Sequence, residues 1–389
     1  YCIRELRIMN EKKNIFPVGF WNYTHSNVVE IKSAAADWQQ LGMTVAMSSE
    51  YEKPEDKQYI SDTLDQAQKR GIKVIVCDYR THWNYYGVHG EKEFTQAVKE
   101  AIKDFGHHEA FLAFHVGDEP VPNTKVWEDM KCATKIVNSL SRGFVNFFPL
   151  FGFKNNGIER EDQVVDMLAE TAEETGLFCL CYDCYTQCNY EIQKEKGLEE
   201  YFKNLVLFKK AADRVGIPFW TTLLSVGHWC YRTPDRDDIR WQIYTALAHG
   251  VQGVLWFFIY ERDKDSSFRE SPINTFWEKT PMFALLSEEN RMFLKYYAEK
   301  FVDSKLLNVF HRGKVYGGVA EYKDGVIENF TVQDGGFGPS LIISEFERKG
   351  KKFVCVTNQD QKMIEIVSGE YNGKKYAEWL APGQLVIIE

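Results

Sequence analysis

Residues 71–78 read GIKVIVCD, a glycine followed by a short apolar run that ends on a carboxylate. Glycine at this place suits the end of a helix, because it adopts positive φ without a steric penalty. The run that follows is apolar at nearly every position, as is typical of a strand buried on both faces of a parallel sheet. Residues 71–78 therefore predict a helix end followed directly by a buried parallel strand.

The same pattern recurs along the first 303 residues, and this recurrence decides the fold. The other junctions begin at Gly42 (MTVAMSS), Gly106 (HHEAFLAFHV), Gly143 (FVNFFPL), Gly176 (LFCLCYD), Gly216 (IPFWTTLL) and Gly250 (VQGVLWFFIY). A first run, IFPVGFW at 15–21, adds an eighth strand. Amphipathic segments such as 28–41 and 123–141 have helical spacing and lie between the runs.

Eight βα units in one region are typical of a closed (β/α)8 TIM barrel, so an α/β fold of this class is predicted for residues 1–303. The main alternative is an open doubly wound sheet. That alternative usually carries a G-x-G-x-x-G motif after the first strand, and the sequence has none there. The last helix of the barrel is expected around 287–302.

After residue 303 the sequence pattern changes to alternating apolar and polar positions. Asp324-Gly325 and Asn372-Gly373 are dipeptides that favour β-hairpin turns. We therefore predict a C-terminal all-β, sandwich-like accessory domain over 304–389. It lacks a cluster of acid, base or nucleophile side chains, so packing against the barrel is its expected role, with carbohydrate binding as the alternative.

Composition narrows the class of partner. The 389 residues include 44% hydrophobic and 26% charged residues, the formal net charge is -9, and no apolar run is long enough for a membrane span. An acidic chain without a basic patch argues against nucleic acid. Aromatic residues, at 15%, suit the C–H faces of sugars, although a large core would also use them. The expected partner is a carbohydrate substrate. The oligomeric state stays open, and a chain that starts at Tyr1 is compatible with a removed signal peptide and a secreted, periplasmic or cell-surface protein.

In a barrel of this kind, the active site lies at the C-terminal ends of the strands. The residues just after each run are therefore the candidates for substrate binding or catalysis. In chain order they are Trp21, Tyr23, His25, Glu50, Asp78, Arg80, His82, His115, Asp118, Glu119, Asn146, Tyr182, Asp183, Tyr185, His228, Trp229, Tyr260 and Glu261.

The segment FHVGDEP at 114–120 is the most informative of these strand ends. It places Asp118 and Glu119 side by side at the mouth, followed by a proline that ends the regular strand. Neighbouring acids in an aromatic pocket raise each other's pKa, so that one carboxyl can stay protonated at neutral pH and act as a general acid. We predict Glu119 in that role. The structural alternative is that Asp118 caps the next helix and Glu119 pairs with an arginine.

These residues resemble the strand-four motifs of two groups of barrel glycosidases. A glutamate followed by proline looks like the acid/base of clan A glycoside hydrolases, whose motif is Asn-Glu-Pro. Here, however, Asp118 replaces the Asn, and 217–229 contains no carboxylate to act as the strand-seven nucleophile. The sequence His115-Val-Gly-Asp118-Glu119 is similar to the His-x-Gly-Gly-Asp-Glu motif of barrel β-N-acetylhexosaminidases, and a related N-acetylgalactosaminidase group carries Ser-Asp-Glu-Pro.

The second resemblance implies a substrate-assisted mechanism, in which the acetamido oxygen of the sugar is the nucleophile. Asp118 would then polarise the acetamido group, Glu119 would serve as acid and then base, and Tyr182 or Tyr185 would donate a hydrogen bond to the acetamido oxygen. A second enzymatic interpretation keeps Glu119 and recruits Asp183 or Glu261 as nucleophile or base. A barrel that binds carbohydrate without cleaving it is the non-enzymatic alternative.

Two groups of residues raise the question of a metal. Cys179, Cys181, Cys184 and Cys188 lie close together in LFCLCYDCYTQC, but their spacing is unlike zinc sites and they are interpreted as small buried apolar side chains. His25, His82, His115 and His228 could gather at the mouth with Asp78, yet sugar hydroxyls need such partners too. No metal and no cofactor is therefore predicted.

Overall fold

The barrel is the central feature of the computed structural model, which describes residues 15–22, 24, 30–190, 192–261, 267–333, 336 and 338–389. Eight parallel strands pair in the order β1-β8-β7-β6-β5-β4-β3-β2. The gap between β1 and β2 is bridged where the backbone N–H of Thr44 donates to the carbonyl of Val18 at 2.7 Å. The predicted (β/α)8 fold is confirmed. The barrel strands are β1 Val18–Phe20, β2 Val45–Met47, β3 Lys73–Val76, β4 Phe111–Asp118, β5 Gly143–Phe147, β6 Leu180–Asp183, β7 Phe219–Leu224 and β8 Gly253–Phe257.

Helices connect the strands and cover the outside of the barrel. Their bounds are α1 Ile31–Gln40, α2 Lys57–Gln68, α3 Trp83–Ala101 with a kink at Gly90, α4 Lys125–Leu140, α5 Leu150–Asn155, α6 Glu161–Thr175, α7 Lys194–Val215, α8 Arg236–Ala248, α9 Pro281–Tyr296 and α10 Ala298–Phe301. None of the helices in the described ranges has the length and apolar character needed to cross a bilayer. Helix α9 starts six residues before the predicted position, and its first residue, Pro281, is well suited to the first turn of a helix.

The glycine rule that predicted the junctions is correct at five of the seven. Gly42, Gly71, Gly176, Gly216 and Gly250 have φ between 68° and 82°. The expectation of positive φ is wrong at Gly106, which closes a π-helical turn over Ile102–Gly106, and at Gly143, which is already the first residue of β5. At these two junctions the helix ends in another way, and the glycine is part of a neighbouring element.

Large side chains fill the interior of the barrel. The ring of Trp21 lies edge-on to His115 with centroids 5.1 Å apart, and Phe144 lies 6.5 Å from Trp21 and 6.1 Å from Trp220. These rings come from β1, β4, β5 and β7 or their ends, and they leave a packed core rather than a pore. A ligand therefore has access to the strand ends at the mouth.

Two sheets follow the barrel in the C-terminal region. One has the order β10-β9-β12-β13-β16 and the other β11-β14-β15, and a second apolar core that includes Leu341, Val354 and Val367 lies between them. The strands are β9 Lys305–Gly313, β10 Ala320–Glu321, β11 Glu328–Gln333, β12 Ser340–Arg348, β13 Lys351–Asn358, β14 Glu365–Tyr371, β15 Lys374–Leu380 and β16 Leu385–Ile388.

The turn predictions in this region have mixed outcomes. Asn372 and Gly373, with φ of 50° and 73°, join β14 to β15 in a hairpin as predicted. The hairpin predicted at Asp324-Gly325 is wrong, because β10 and β11 belong to different sheets. A hairpin that was not predicted joins β12 to β13 through Lys349 and Gly350, both with positive φ.

The five-stranded sheet packs on the barrel beside α8. Trp241 donates its indole N–H to the carbonyl of Gln359 at 2.7 Å, and the hydroxyl of Ser344 donates to the carbonyl of Ala248 at 2.7 Å. Ile342 and Phe346 belong to the same apolar cluster as the barrel core. These contacts fix the sheet against the helical layer. The division of the chain into domains at 303 and 304 stays a prediction.

Candidate active site

A cluster of carboxyl groups forms where β4, β5 and β6 end. The side-chain amide of Asn146 donates to Asp118 Oδ1 at 3.0 Å and to Asp183 Oδ1 at 2.9 Å. The carboxyls of Glu119 and Asp183 lie within interaction range, and each affects the pKa of the other. A single amide thus links two carboxylates, and one of them interacts with a third acid. The structure brings together the predicted residues Asp118, Glu119, Asn146 and Asp183.

The backbone around Glu119 is in an unusual conformation. Glu119 has φ of 51°, and its N–H donates to the carbonyl of Asn146 at 2.8 Å. Gly117 has φ of 154°, and a Cβ at this position would lie 2.2 Å from the ring of Trp83. A non-glycine residue in the left-handed region is uncommon and typically costs about 1–3 kcal/mol, and such residues cluster at functional sites. Only glycine fits at 117, where Trp83 covers the backbone just before the two acids.

Electrostatics favour a bound proton in this cluster. Burial first, and then the charges of Asp183 and Asp118, raise the pKa of Glu119. Burial and the charge of Asp118 also raise the pKa of Asp183, although the hydrogen bond from Asn146 opposes this shift. Among the described residues no lysine or arginine forms an ion pair with Glu119 or Asp183. The pair therefore holds a proton at neutral pH, which is the state that a general acid requires.

Aromatic side chains from the ends of β6, β7 and β8 stand beside the acids. Tyr185 shares a hydrogen bond with the hydroxyl of Thr222 at 2.8 Å and lies edge-on to Tyr231, with ring centroids 5.5 Å apart. Burial first, then the neighbouring Cys184 and Cys230, and then the charges of Asp183 and Glu119 raise the pKa of Tyr231. Sequence reasoning missed Tyr231, because it lies in a loop beyond β7 and not directly after a strand.

His228 belongs to the same aromatic group. Its ring stacks on Phe268 at 5.3 Å and lies 4.9 Å from Phe257. Burial lowers the pKa of His228 to about 4, so that this imidazole is neutral at physiological pH. The β7 and β8 side of the mouth is therefore aromatic and uncharged at these positions.

A cavity of about 190 Å³ lies on the other side of the mouth, at the ends of β2, β3 and β4. Its lining includes Glu50, His82 and His115. Burial lowers the pKa of His82 to about 4 and that of His115 to about 3, so both rings are neutral. Within the described part of the chain, Nε2 of His115 has no hydrogen-bond partner. The predicted residues Trp21, His82 and His115 thus lie together beneath this part of the mouth.

Asp78 and Arg80 form an ion pair. Arg80 Nη2 lies 2.7 Å from Asp78 Oδ2, and Arg80 Nη1 lies 2.9 Å from Asp104 Oδ2. The guanidinium also covers the ring of Tyr51 at 4.3 Å. This ion pair joins the end of β3 to the turn after α3, and Asp78 also lines the cavity at the mouth, so the role of the two residues in substrate binding stays a prediction.

Two predicted tyrosines point away from the mouth. Tyr182 is fully buried and stacks on Phe208 of α7 at 4.2 Å. Tyr260 is also buried and accepts a hydrogen bond from the indole N–H of Trp38 in α1 at 2.6 Å. Successive residues of a strand face opposite sides, so Tyr182 faces the helices while Asp183 faces the mouth. Neither tyrosine is placed to contact a ligand.

The remaining predicted residues lie at the edge of the site or outside the residues that the structure describes. Trp229 is 77% exposed on the rim of the mouth. The backbone N–H of Glu261 donates to the carbonyl of Ile273, and no contact of its carboxyl with the acid pair is present among the described residues. Tyr23 and His25 lie outside the described residues.

The four clustered cysteines are packing residues in the structure. Cys179, Cys181, Cys184 and Cys188 are buried and carry free thiols. Burial raises the pKa of each of these thiols, which keeps them protonated. In the described ranges, no group of three or more His, Cys, Asp or Glu side chains has an arrangement that could hold a metal ion.

Comparison with known proteins supports the fold. No protein family and no curated protein matches the sequence. Among solved structures, a β-galactosidase from the psychrophilic Marinomonas ef1 is similar at a TM-score of 0.53 and 10% identity, over 71% of this chain and 59% of that one. A β-galactosidase from Halorubrum lacusprofundi gives 0.53 and 11%, over 71% and 58%. A β-glucuronidase from Ruminococcus gnavus gives 0.50 and 12%, over 71% and 49%. The chain thus spans about half to three fifths of these enzymes, and at such low identity the likeness shows the barrel fold.

Proposed function

We propose that this protein is a glycoside hydrolase with Glu119 as its general acid and base. The observation that carries the proposal is the cluster of Asp118, Glu119 and Asp183 around the amide of Asn146 at the mouth of the barrel, in which burial and neighbouring charge raise the pKa values of Glu119 and Asp183. The similar solved structures are glycosidases with the same barrel architecture, and this analogy of fold supports the proposed chemistry.

The proposed reaction uses the bound proton directly. Glu119 donates its proton to the glycosidic oxygen as the bond between that oxygen and the anomeric carbon breaks. Positive charge then develops on the sugar ring, and the carboxylates of Asp118 and Asp183 are placed to stabilise it. In the second step the Glu119 carboxylate takes a proton from the attacking water, which restores the acid.

The close contact between Glu119 and Asp183 favours substrate assistance over a two-carboxylate mechanism. Retaining enzymes separate their two carboxyl groups by about 5–5.5 Å, and inverting enzymes separate them by about 6.5–9.5 Å. Asp183 interacts directly with Glu119 and shares the amide of Asn146 with the neighbouring Asp118, so it lies on the side of the acid and is poorly placed as a nucleophile or base opposite Glu119. The acetamido oxygen of an N-acetylhexosaminide would supply the nucleophile instead.

Two residues are then assigned to the acetamido group. Asp118, held by Asn146, polarises its N–H, as the hexosaminidase resemblance implies. Tyr231 takes the part of the donor to the acetamido oxygen that the sequence suggested for Tyr182 or Tyr185. Its hydroxyl has no hydrogen-bond partner within the described ranges, whereas that of Tyr185 is bonded to Thr222.

The test is hydrolysis of aryl glycosides by wild type and Glu119→Gln, with Glu173→Gln on the surface of α6 as the matched control. The substrates are the N-acetylglucosaminide, the N-acetylgalactosaminide and their non-acetylated counterparts. We expect turnover of the N-acetyl sugars and a loss of about 10²–10⁴-fold in Glu119→Gln. The loss should be smaller with a dinitrophenyl leaving group, because that group departs without protonation.

Other outcomes separate the alternatives. Turnover of plain hexosides that is lost in Glu261→Gln would favour the two-carboxylate mechanism with Glu261. Equal loss for all leaving groups would contradict a general acid at position 119. Binding of sugars without turnover of any substrate would favour the barrel that binds carbohydrate without cleaving it.

A further inference from the structure

Two exposed aromatic residues lie on the loops that follow β6 and β7, at the mouth of the barrel. Tyr190 is 67% exposed and Trp229 is 77% exposed. The loops are joined by backbone hydrogen bonds of 2.9 Å from Tyr190 N to Cys230 O and from Arg232 N to Cys188 O. These bonds form a short antiparallel ladder, in which Tyr190 pairs with Cys230, the residue next to Trp229, so the two aromatic residues belong to one structured rim.

Trp229 occupies a position that is unfavourable for a tryptophan. The backbones of His228 and Tyr231 exchange two hydrogen bonds, which makes 228–231 a two-residue hairpin with Trp229 and Cys230 at its tip. Trp229 has a positive φ of 53°, whereas the φ of Cys230 is negative. This combination is that of a type II′ turn, in which the first central residue is usually glycine. A large side chain in such a place, exposed to water, indicates a function rather than a contribution to folding.

The hairpin is held firmly from below. Arg232 Nη2 donates to the buried carboxylate of Asp238 at 2.7 Å, and Arg269 Nη2 donates to the carbonyl of Tyr231 at 2.8 Å. The exposure of Trp229 is thus the property of an anchored turn. The same hairpin carries Tyr231, whose ring lies 5.5 Å from that of Tyr185 and whose pKa is affected by the charges of Asp183 and Glu119.

We propose that Trp229 and Tyr190 form an outer saccharide-binding platform, so that the substrate is an oligosaccharide extending over the β6 and β7 side of the mouth. This inference rests on the proposed glycosidase function. The flat faces of aromatic rings match the C–H faces of sugars, and the hairpin links the platform directly to the site of bond cleavage. Nucleobases also stack on such rings, but they require a positively charged groove, which a chain with a net charge of -9 does not favour.

The experiment measures oligosaccharide binding by calorimetry, using the full chain carrying Glu119→Gln to prevent turnover. The probes are linear β-1,4-linked N-acetylglucosamine oligomers of increasing length and the matching cello-oligomers. Trp229→Gly and Tyr190→Ala are added separately to this background. Glycine suits the turn at 229, so the first variant keeps the hairpin. Trp379→Ala, which removes a comparably exposed tryptophan from β15, is the matched control.

We expect affinity to rise with oligomer length and each platform variant to weaken the longest oligomer roughly three- to tenfold, with a smaller effect on the shortest. The control should bind as the background does. Binding that is independent of length, equal weakening at all lengths, or no binding of any oligomer would overturn the proposal. Hydrolysis by wild type without a length effect contradicts the platform alone, whereas length-dependent binding without any hydrolysis contradicts the glycosidase function and leaves the platform intact.

Discussion

Two clusters of carboxylates lie at the mouth of the same barrel, and they differ in what balances their charge. At the end of β3, Asp78 is paired with Arg80, which also contacts Asp104. At the ends of β4 and β6, Glu119 interacts with Asp183, and the hydrogen bonds that favour the charged form of Asp183 come from neutral groups such as the amide of Asn146 and the backbone of Asp183 itself. Both clusters are largely shielded from solvent. The first cluster has a guanidinium, and the second has neutral hydrogen-bond donors and its own proton.

We propose that this difference separates a structural acid from a catalytic one. Burial raises the pKa of Asp78, but the hydrogen bonds and charge of Arg80 oppose the shift and stabilise the carboxylate. For Glu119, every contribution raises the pKa, because burial is followed by two further acids. A carboxylate that is neutralised by arginine stabilises the fold, whereas one that must keep a proton can deliver it to a substrate.

The largest expected effect on stability comes from breaking the first cluster. Arg80→Met leaves the buried carboxylate of Asp78 without its cation, and we expect the free energy of unfolding to fall by about 3–5 kcal/mol. Urea denaturation measures this change in the free energy of unfolding. The control is Arg160→Met, which removes an exposed pair with Asp162 and should change the free energy little. A loss no larger than in the control would show that the Asp78 pair is not a structural element.

Removing an acid from the second cluster should increase the stability of the protein, whereas Arg80→Met should decrease it. A carboxyl whose pKa is raised on folding contributes stability that is fully present below its unfolded pKa and is lost as the pH rises through the folded pKa. Glu119→Gln removes this penalty, so the variant should melt at a higher temperature than wild type. The difference should be small at pH 4 and should grow towards alkaline pH. Thermal unfolding across this pH range measures it, and a variant that is less stable at every pH would contradict the assignment.

A smaller effect is expected from Asn146→Ala. The hydrogen bond from Asn146 lowers the pKa of Asp183, so its removal raises that pKa further. In the proposed mechanism Asp183 acts as an anion, and the acidic limb of the pH profile of kcat/KM should therefore move upward by about one pH unit. Glu173→Gln serves again as the control. An unchanged acidic limb would mean that Asp183 does not titrate in the active range.

Local patterns in the sequence predict the barrel and half of its site. Buried parallel strands leave apolar runs after glycines, and the adjacent acids Asp118 and Glu119 stand out at the end of one run. Strand alternation is a further signal in the sequence. If Asp183 faces the mouth, the preceding Tyr182 must face the helices, and the structure places it there.

Other features depend on contacts between distant parts of the chain. Arg80 reaches Asp104, which is 24 residues away, so its commitment to an ion pair cannot be inferred from the end of β3 alone. Tyr231 is positioned by hydrogen bonds between its hairpin, the loop after β6 and Arg269. No periodicity marks such a loop residue, because its place is set by long-range pairing.

The most direct test of the central claim is the protonation state of Glu119 in the resting protein. Infrared difference spectra of wild type against Glu119→Gln at neutral pH report the C=O stretch of a protonated carboxyl, and Asp78→Asn provides the matched comparison from the first cluster. We predict that the Glu119→Gln spectrum lacks a carboxylic acid band present in wild type, and that Asp78→Asn loses only a carboxylate signal. A wild-type spectrum without that band, or loss of the band in Asp78→Asn, would contradict the account.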